Sequence, residues 1–491
     1  MSLLAPTLFS LAFSPRKGDY PPGASPFCAK YHPIHDKNVY DPSGPLLDNS
    51  GVWHTWEDDG GWSHWTSTDL IHWRGDFTGS THFSGDTGSV SPTPSGVYAF
   101  WPILAHPYPI GSAKATNDSM LEWTQRGATI QMPTRIDAGF RDPARAFEIN
   151  GKWYVGVGCG SKAVGAQFCI FEAADDTLSN FTDRGSMYTT NVTFGNVDSN
   201  VVWHPVNVSA NMMECPDFFP LGDKYVLIGS LYKTNQWWVG DVAGDPPRFT
   251  PSSVGILDYG NGYAAKTGTT FGPVQSGDAR RLVFGFTGWN EPTMPGGCGR
   301  ALVIPRELSV GGANGDELIT KPIAETAVLR VPGSRRVATA AVDTKGGVTS
   351  SGDIATGSQV EVRLTCPLVA GEVHGSGKTA IRTLATADGS QYTEIGYDFG
   401  NQTFYADHSL CCSASSPNAI VQAAPLPVAA LAGVLNLTVF VDGGIIEAFL
   451  GGKVITPLVA PDVAAGAPEA RLTTIVPGAL SCSVESHQLR Y

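Results

Sequence analysis

The sequence predicts an all-β protein, a large propeller-like body followed by an antiparallel sandwich, from three features. Short apolar runs rich in β-branched and aromatic residues recur along the chain, cut by Gly, Pro, Asn and Asp. Gly (57) and Pro (35) make up almost a fifth of the 491 residues without a collagen-like period, and a hydrophobic content of 42% rules out disorder. Similar strand clusters return at intervals of about 50–70 residues, the length of a propeller blade of about four strands.

The elements follow in order. The opening "MSLLAPTLFSLAFS" holds a short apolar run without a basic leader or an A-x-A site, so it reads as a first strand as readily as a signal peptide. "NVYDPSG" (38–44) is a turn, because Asp bonds its own backbone, Pro presets φ and Gly accepts positive φ. "GVYAFW" (96–101), "KWYVGVG" (152–158), "AQFCIFEA" (166–173), "KYVLIGSLY" (224–232), "RLVFGFTGW" (281–289) and "RALVIPREL" (300–308) read as strands joined by tight turns. "ITKPIAETAVLRVPGSRRVATAA" (319–341) reads as a linker with a short helical turn at Ile323–Leu329. Beyond it, in "LNLTVFVDGGIIEAFLGGKVI", two apolar runs flank Asp442-Gly443-Gly444, a hairpin signal. The expected domains are 25–325 and 335–491.

Composition narrows the function. A chain of this length suits two domains. A formal charge of −13 argues against a nucleic-acid partner, which needs Lys and Arg against phosphate. No run reaches the length needed to cross a membrane. Nine cysteines leave at least one thiol free or paired between chains, and no C-x-x-C pair supports a zinc ribbon or a redox motif. A bridge such as Cys159–Cys169 is possible across one hairpin. Sequons at Asn117, Asn180, Asn191, Asn207, Asn401 and Asn436 favour a secreted, extracellular or vacuolar glycoprotein. "HGSGKTA" (374–380) imitates a phosphate loop, but Glu372 stands where that loop needs Gly, so it reads as a surface loop. His32 and His35 lack a third ligand, so no metal cofactor is expected, and neither is any other cofactor. The oligomeric state stays open.

Three acids stand in pointed contexts: Asp41 in "NVYDPSG", Asp142 in "GFRDPARAF" and Glu214 in "MMECPDFFPLGDKYVLIG". Each is ordinary by itself: a turn residue, an Arg141-paired surface acid, a strand-edge acid. One per strand cluster, each close before a Pro, they fit equivalent positions of successive blades that converge on one channel.

The ordered set of motifs resembles glycoside hydrolase family 32, the invertases, fructan hydrolases and related fructosyltransferases. "YDPSGP" resembles the family's Asn-Asp-Pro-Asn-Gly box, and "GGWSHWTSTDLIHW" its Trp-Gly-His-Ala-x-Ser-x-Asp-Leu-x-His-Trp segment. "HFSGDTG" resembles Phe-Ser-Gly-Ser, while "FRDP" and "MECPDFFPL" resemble the Arg-Asp-Pro and Glu-Cys-Pro boxes. "LDYGNGYAAKTGTTF", "FGFTGWNE", "IPRELSV" and "VFVDGGIIEAFL" follow in the family's order, so the likeness runs from about residue 30 to 450. It implies a five-bladed β-propeller followed by a C-terminal β-sandwich. It also implies that Asp41 is the nucleophile, Glu214 the general acid and base, and Asp142, beside Arg141, the stabiliser of the transition state. Splitting a fructoside with retention needs one ionised and one protonated carboxyl about 5–5.5 Å apart. Phe218, Phe219 and the Cys215 thiol are expected to keep Glu214 protonated, and Arg141 and turn N–H groups to keep the other carboxylates ionised. Phe83 and Ser84 are expected to line the fructose pocket, or to form an ordinary strand pair. Trp289 stacks on sugar or belongs to the core, and Cys215 is the candidate free thiol.

The chain departs from the family around the nucleophile. Asn38 and Tyr40 stand where the family often has Trp and Asn, Ser43 replaces its second Asn, and Asp58 in "WHTWED" stands near its Gln. An amide that bonds fructose both ways becomes an acceptor there if Asp58 is ionised. These positions govern whether water or sugar reaches the fructosyl-enzyme. The leading reading is a retaining β-fructofuranosidase acting on sucrose or small fructans. The alternatives are a fructosyltransferase that uses sucrose as donor, a carbohydrate-binding propeller without turnover, and an inverting arabinan-type hydrolase.

Overall fold

The computed structural model describes residues 27–34, 39–58, 61–76, 83, 85–190, 193–196, 203–206, 211–231, 234–269, 280–287, 298, 300–342, 348–351, 354, 357–368, 377–386, 388–411, 421–459, 461, 469–475 and 481–491. Five antiparallel sheets of four or more strands follow one another along the chain, with a two-stranded pair, Thr193–Asn196 and Trp203–Val206, between the third and the fourth. The first holds Pro42–Leu47, Trp53–Asp58, Trp62–Ser67 and Arg74–Asp76. The second holds Ser89–Thr93, Gly96–Pro102, Ile110–Ala115 and Trp123–Ile130. In the third, an interrupted inner strand (Gly139–Arg141 and Phe147–Ile149) pairs with Lys152–Ser161, followed by Gly165–Glu172 and Thr182–Thr190. The fourth runs from Glu214–Leu221 through Lys224–Leu231 and Thr234–Ala243 to Arg248–Ile256. The fifth comprises Gly262–Thr269, Arg281–Thr287, Arg306–Gly311 and Glu317–Pro322. In each sheet the strands lie in sequence order, each antiparallel to the next.

Inner strands touch those of the neighbouring sheets, and the first strand of sheet one packs on the first strand of sheet five, so the five sheets close into a ring of blades. Apolar side chains fill the gaps between blades. Phe147, Phe168, Met213, Phe218 and Trp238 pack between blades three and four, and Phe219, Ile228, Trp237, Ala265 and Val283 between four and five. At Gly44 (φ +57°) a Cβ would collide with the backbone of Val90 in the next blade, so only glycine fits there.

The strands expected at 96–101, 152–158, 166–173 and 224–232 appear as Gly96–Pro102, Lys152–Ser161, Gly165–Glu172 and Lys224–Leu231. The last expected propeller run starts later, at Arg306, with Leu302 in an isolated bridge to Phe286 and its N–H on the Pro33 carbonyl oxygen at 2.9 Å. The linker contains the expected helical turn, at Ala324–Leu329. After it come a seven-stranded and a five-stranded antiparallel sheet. Alternate residues of Gln359–Pro367 and Val434–Asp442 (Val360, Val362, Leu364; Leu435, Leu437, Val439) point into the core between them. The hairpin at Gly443-Gly444 forms as expected. Lys378 opens a strand rather than a helix, which removes the phosphate-loop reading. Cys28–Cys298, Cys159–Cys169 and Cys366–Cys482 are bridged, and Cys215 is free and buried.

A buried ionic network locks sandwich to propeller. The Asp442 carboxylate accepts the backbone N–H groups of Lys30, Tyr31 and His32 at 2.6–2.9 Å. His32 lies between two carboxylates, with Nδ1 2.9 Å from Asp442 and Nε2 2.9 Å from Glu447. Glu447 also accepts from the Ile304 N–H and from Arg306, which reaches on to Asp258 at 2.7 Å. His32 is thus a structural cation rather than a metal ligand, and His35 lies outside the described residues. Burial lowers the pKa of His32, but bonds to both carboxylates outweigh that and raise it to about 9. The stability this gives is complete below the unfolded value of about 6.5 and is lost as pH rises through about 9. Urea unfolding should therefore show stability falling by about 3 kcal/mol between pH 6.5 and 10, and His32→Asn should flatten that fall.

Candidate active site

The carboxylates sit where inner strands begin at the channel mouth. Blades three, four and five share one backbone device there. In each, a residue with positive φ interrupts the pairing of the inner strand: Asp142 (+57°) at the break of blade three, and Cys215 (+46°) and Ala264 (+51°) at the bulges of blades four and five. The residue before it is the last to pair in register before the interruption: Arg141 with Gly158, Glu214 with Ser230 and Tyr263 with Phe286. Arg141, Glu214 and Tyr263 are therefore equivalent positions of adjacent blades, and they form one hydrogen-bonded row. Arg141 Nη2 donates to Glu214 Oε1, and the Tyr263 hydroxyl donates to Glu214 Oε2 at 2.7 Å. Such φ values are costly for residues other than Gly, and strain of this kind gathers at functional sites.

Asp142 is buried. Its Oδ2 accepts the Cys215 N–H at 2.9 Å, with Arg141 Nε 3.8 Å away. Asp41 precedes the inner strand of blade one and is half-buried. Its Oδ2 accepts the Thr87 hydroxyl at 2.5 Å and the Cys215 thiol at 3.3 Å. Cys215 thus joins the two aspartates, its N–H on one and its thiol on the other. Burial holds that thiol protonated, well above its usual range, and the neighbouring aspartates reinforce this.

Burial also decides the aspartates. It raises Asp142 to about 7, against the opposing pull of Arg141 and the Cys215 N–H. It raises Asp41 too, and Glu214 adds repulsion, while Thr87, Cys215 and Lys266 oppose the rise. Arg141 and backbone N–H groups do act on Asp142 as expected, but desolvation outweighs them.

Other expectations fare differently. Phe218 and Phe219 do not surround Glu214: past the bulge their side chains alternate into the two inter-blade cores, and the groups bonded to Glu214 are the polar Arg141 and Tyr263. Tyr40 lies beside Asp41, its ring 6.1 Å from Phe286 and 4.7 Å from the Arg300 guanidinium. Pairing of Pro42 with Glu57 brings Asp58 alongside Asp41. Phe83 is 2% exposed and stacks on Trp101 at 4.2 Å against Trp62 and Trp123, the placement of an aromatic core. Asn38, Ser84 and Trp289 lie outside the described residues. Thr87, Tyr263 and Lys266 went unassigned at the sequence level, although "HFSGDTG" and "GYAAKTG" contain them.

Asp142 gives a test. Its raised pKa costs stability as pH climbs from about 4 through 7, the range in which the folded protein must ionise it. Asp142→Asn should remove that fall and unfold with about 4 kcal/mol more stability than wild type at pH 8, measured by urea denaturation.

Residues 48–322 match the model of the glycosyl hydrolases family 32 N-terminal domain, and 325–480 that of the family 32 C terminal domain. A sucrose-6-phosphate hydrolase of Klebsiella pneumoniae is 27% identical over 310 residues, covering 55% of this chain and 59% of that protein. Fructan 1-exohydrolase w3 of Triticum aestivum is 26% identical over 389 residues, 66% of this chain and 59% of that protein. The chain thus spans about three fifths of the length of the curated relatives it matches. Among solved structures, fructan 1-exohydrolase IIa from Cichorium intybus superposes with a TM-score of 0.76 at 18% identity, over 95% of this chain and 98% of that one. A fructosyltransferase from A. japonicus gives 0.77 at 16% identity, over 97% and 98%. These likenesses establish a common fold.

Proposed function

The chain belongs to glycosyl hydrolase family 32, and from that premise we propose that it is a retaining β-fructofuranosidase acting on sucrose or small fructans. The observation that carries the reading is the meeting of three carboxylates from three blades at one channel mouth, two of them joined through Cys215.

The roles follow from the contacts. Both described bonds to Asp41 fall on Oδ2, which leaves Oδ1 to attack the anomeric carbon. Attack forms a fructosyl ester as the bond to the leaving oxygen breaks, and Glu214 gives that oxygen its proton. Arg141 occupies Glu214 Oε1, so a fructose hydroxyl that takes the guanidinium frees this oxygen for proton transfer. Tyr263 holds the other oxygen and fixes the carboxyl plane. Glu214 then takes a proton from the attacking water or sugar hydroxyl, and the ester opens. Asp142, already desolvated, binds fructose hydroxyls and stabilises positive charge developing on the ring. Tyr40 and Asp58 beside Asp41 line the path of the leaving group and the acceptor; Asn38, Ser84 and Trp289 are proposed with them from the resemblance alone. The disulfides Cys28–Cys298, Cys159–Cys169 and Cys366–Cys482 and exposed sequons at Asn117, Asn180, Asn401 and Asn436 support a secreted or vacuolar setting.

Asp41→Asn and Glu214→Gln, folded normally, should each lower kcat on sucrose by about 10³-fold or more. Near wild-type turnover in either would remove the assignment. Transfer is the second reading, favoured by the departures at Tyr40 and Asp58. Incubation at high sucrose separates the two: hydrolysis gives equal glucose and fructose, and transfer gives excess glucose with kestose-type products.

A further inference from the structure

Beneath the channel mouth lies a buried lysine that none of the steps above uses. Lys266 stands just past the bulge of blade five, paired with Phe284, and is 2% exposed. Its Nζ donates to the carbonyl oxygens of Pro216 at 2.8 Å and Pro143 at 3.4 Å. These are the residues that directly follow Cys215 and Asp142, so one ammonium ties together the interrupted inner strands of three blades.

Burying an ammonium costs several kcal/mol, and two neutral carbonyls do not repay it. Its charge favours the ionised form of Asp41, Asp142 and the Cys215 thiol, a smaller influence on Asp41 than the hydrogen bonds from Thr87 and Cys215. The layer below balances separately. Asp217 accepts the Thr267 N–H and hydroxyl at 2.6 Å each, and its charge compensates the buried Arg145 and Arg281.

We propose that Lys266 is a positioning residue for this reaction: it fixes the interrupted inner strands that present Asp142 and Glu214, and it supplies the counter-charge that keeps Asp41 a carboxylate ready to attack. The proposal rests on the fructosidase reading. The groups around Asp41 are Glu57 and Asp58 on its own blade and Thr87, next to Asp86, from blade two. Arg141 and Asp142 come from blade three, Glu214 and Cys215 from blade four, and Tyr263 and Lys266 from blade five. Among the described residues around Asp41, Lys266 is the buried cation.

Lys266→Gln keeps a donor for the carbonyls and removes the charge, while Lys266→Arg keeps the charge. The acid limb of kcat/KM should move up by about one pH unit in Lys266→Gln and stay at the wild-type position in Lys266→Arg. An unmoved limb in folded Lys266→Gln, even with a uniform loss of rate, overturns the proposal. Should Lys266→Gln not fold, a displaced limb in Lys266→Arg overturns it. Alkylation of Asp41 by a small epoxide, followed by peptide mass spectrometry across pH, needs no turnover. If wild type proves inactive on fructosides, the fructosidase reading fails, and this labelling still decides for Lys266: its midpoint must rise in Lys266→Gln.

Discussion

Desolvating carboxylates at the axis of a closed ring of blades is the constraint on which the rest of the site depends. Asp142 is buried and Asp41 half-buried, with Glu214 close enough to repel Asp41. Left uncompensated, such a cluster would bind protons and could not attack. Four residues around it offset part of that cost: Thr87, Cys215, Arg141 and Lys266. Thr87 and Cys215 donate to Asp41, the Cys215 N–H donates to Asp142, and Arg141 lies between Asp142 and Glu214. The compensation is partial, because Asp142 still rises to about 7. A carboxyl poised near neutrality gains most from a ligand that brings hydroxyl donors and develops positive charge.

The ring makes this economical. Arg141, Glu214 and Tyr263 reach the same point because each precedes a positive-φ residue that interrupts pairing at the same level of its blade. One backbone device repeated three times turns sequence separation into a row of hydrogen bonds. The sandwich does not enter that row, but its Asp442 and Glu447 pin His32 and Arg306 of the propeller and so hold blade five and the N-terminal segment in place.

The sequence made the all-β class legible through strand runs and turn residues, and the three acids through motifs close to prolines. Those signals are local. The rest was illegible for a physical reason. His32 and Asp442 are separated by 410 residues and meet only because the sandwich docks, so no spacing rule connects them. Phe218 and Phe219 looked like neighbours of Glu214 because they follow it in sequence. The bulge at Cys215 changes which way each side chain points, and both aromatics leave the channel for the cores. Tyr263 and Lys266 lay in a recognised motif, but only the ring shows which blade they face.

The central claim is that Asp41 becomes covalently bonded to the sugar, and trapping tests it most directly. A Glu214→Ala variant given a fructoside whose leaving group needs no proton should accumulate the ester, since no base activates water. Rapid acid quenching, digestion and peptide mass spectrometry should place one fructosyl unit on the peptide containing Asp41. Fructosyl modification of a different carboxylate, or quantitative turnover with Asp41 unmodified throughout, would contradict the account.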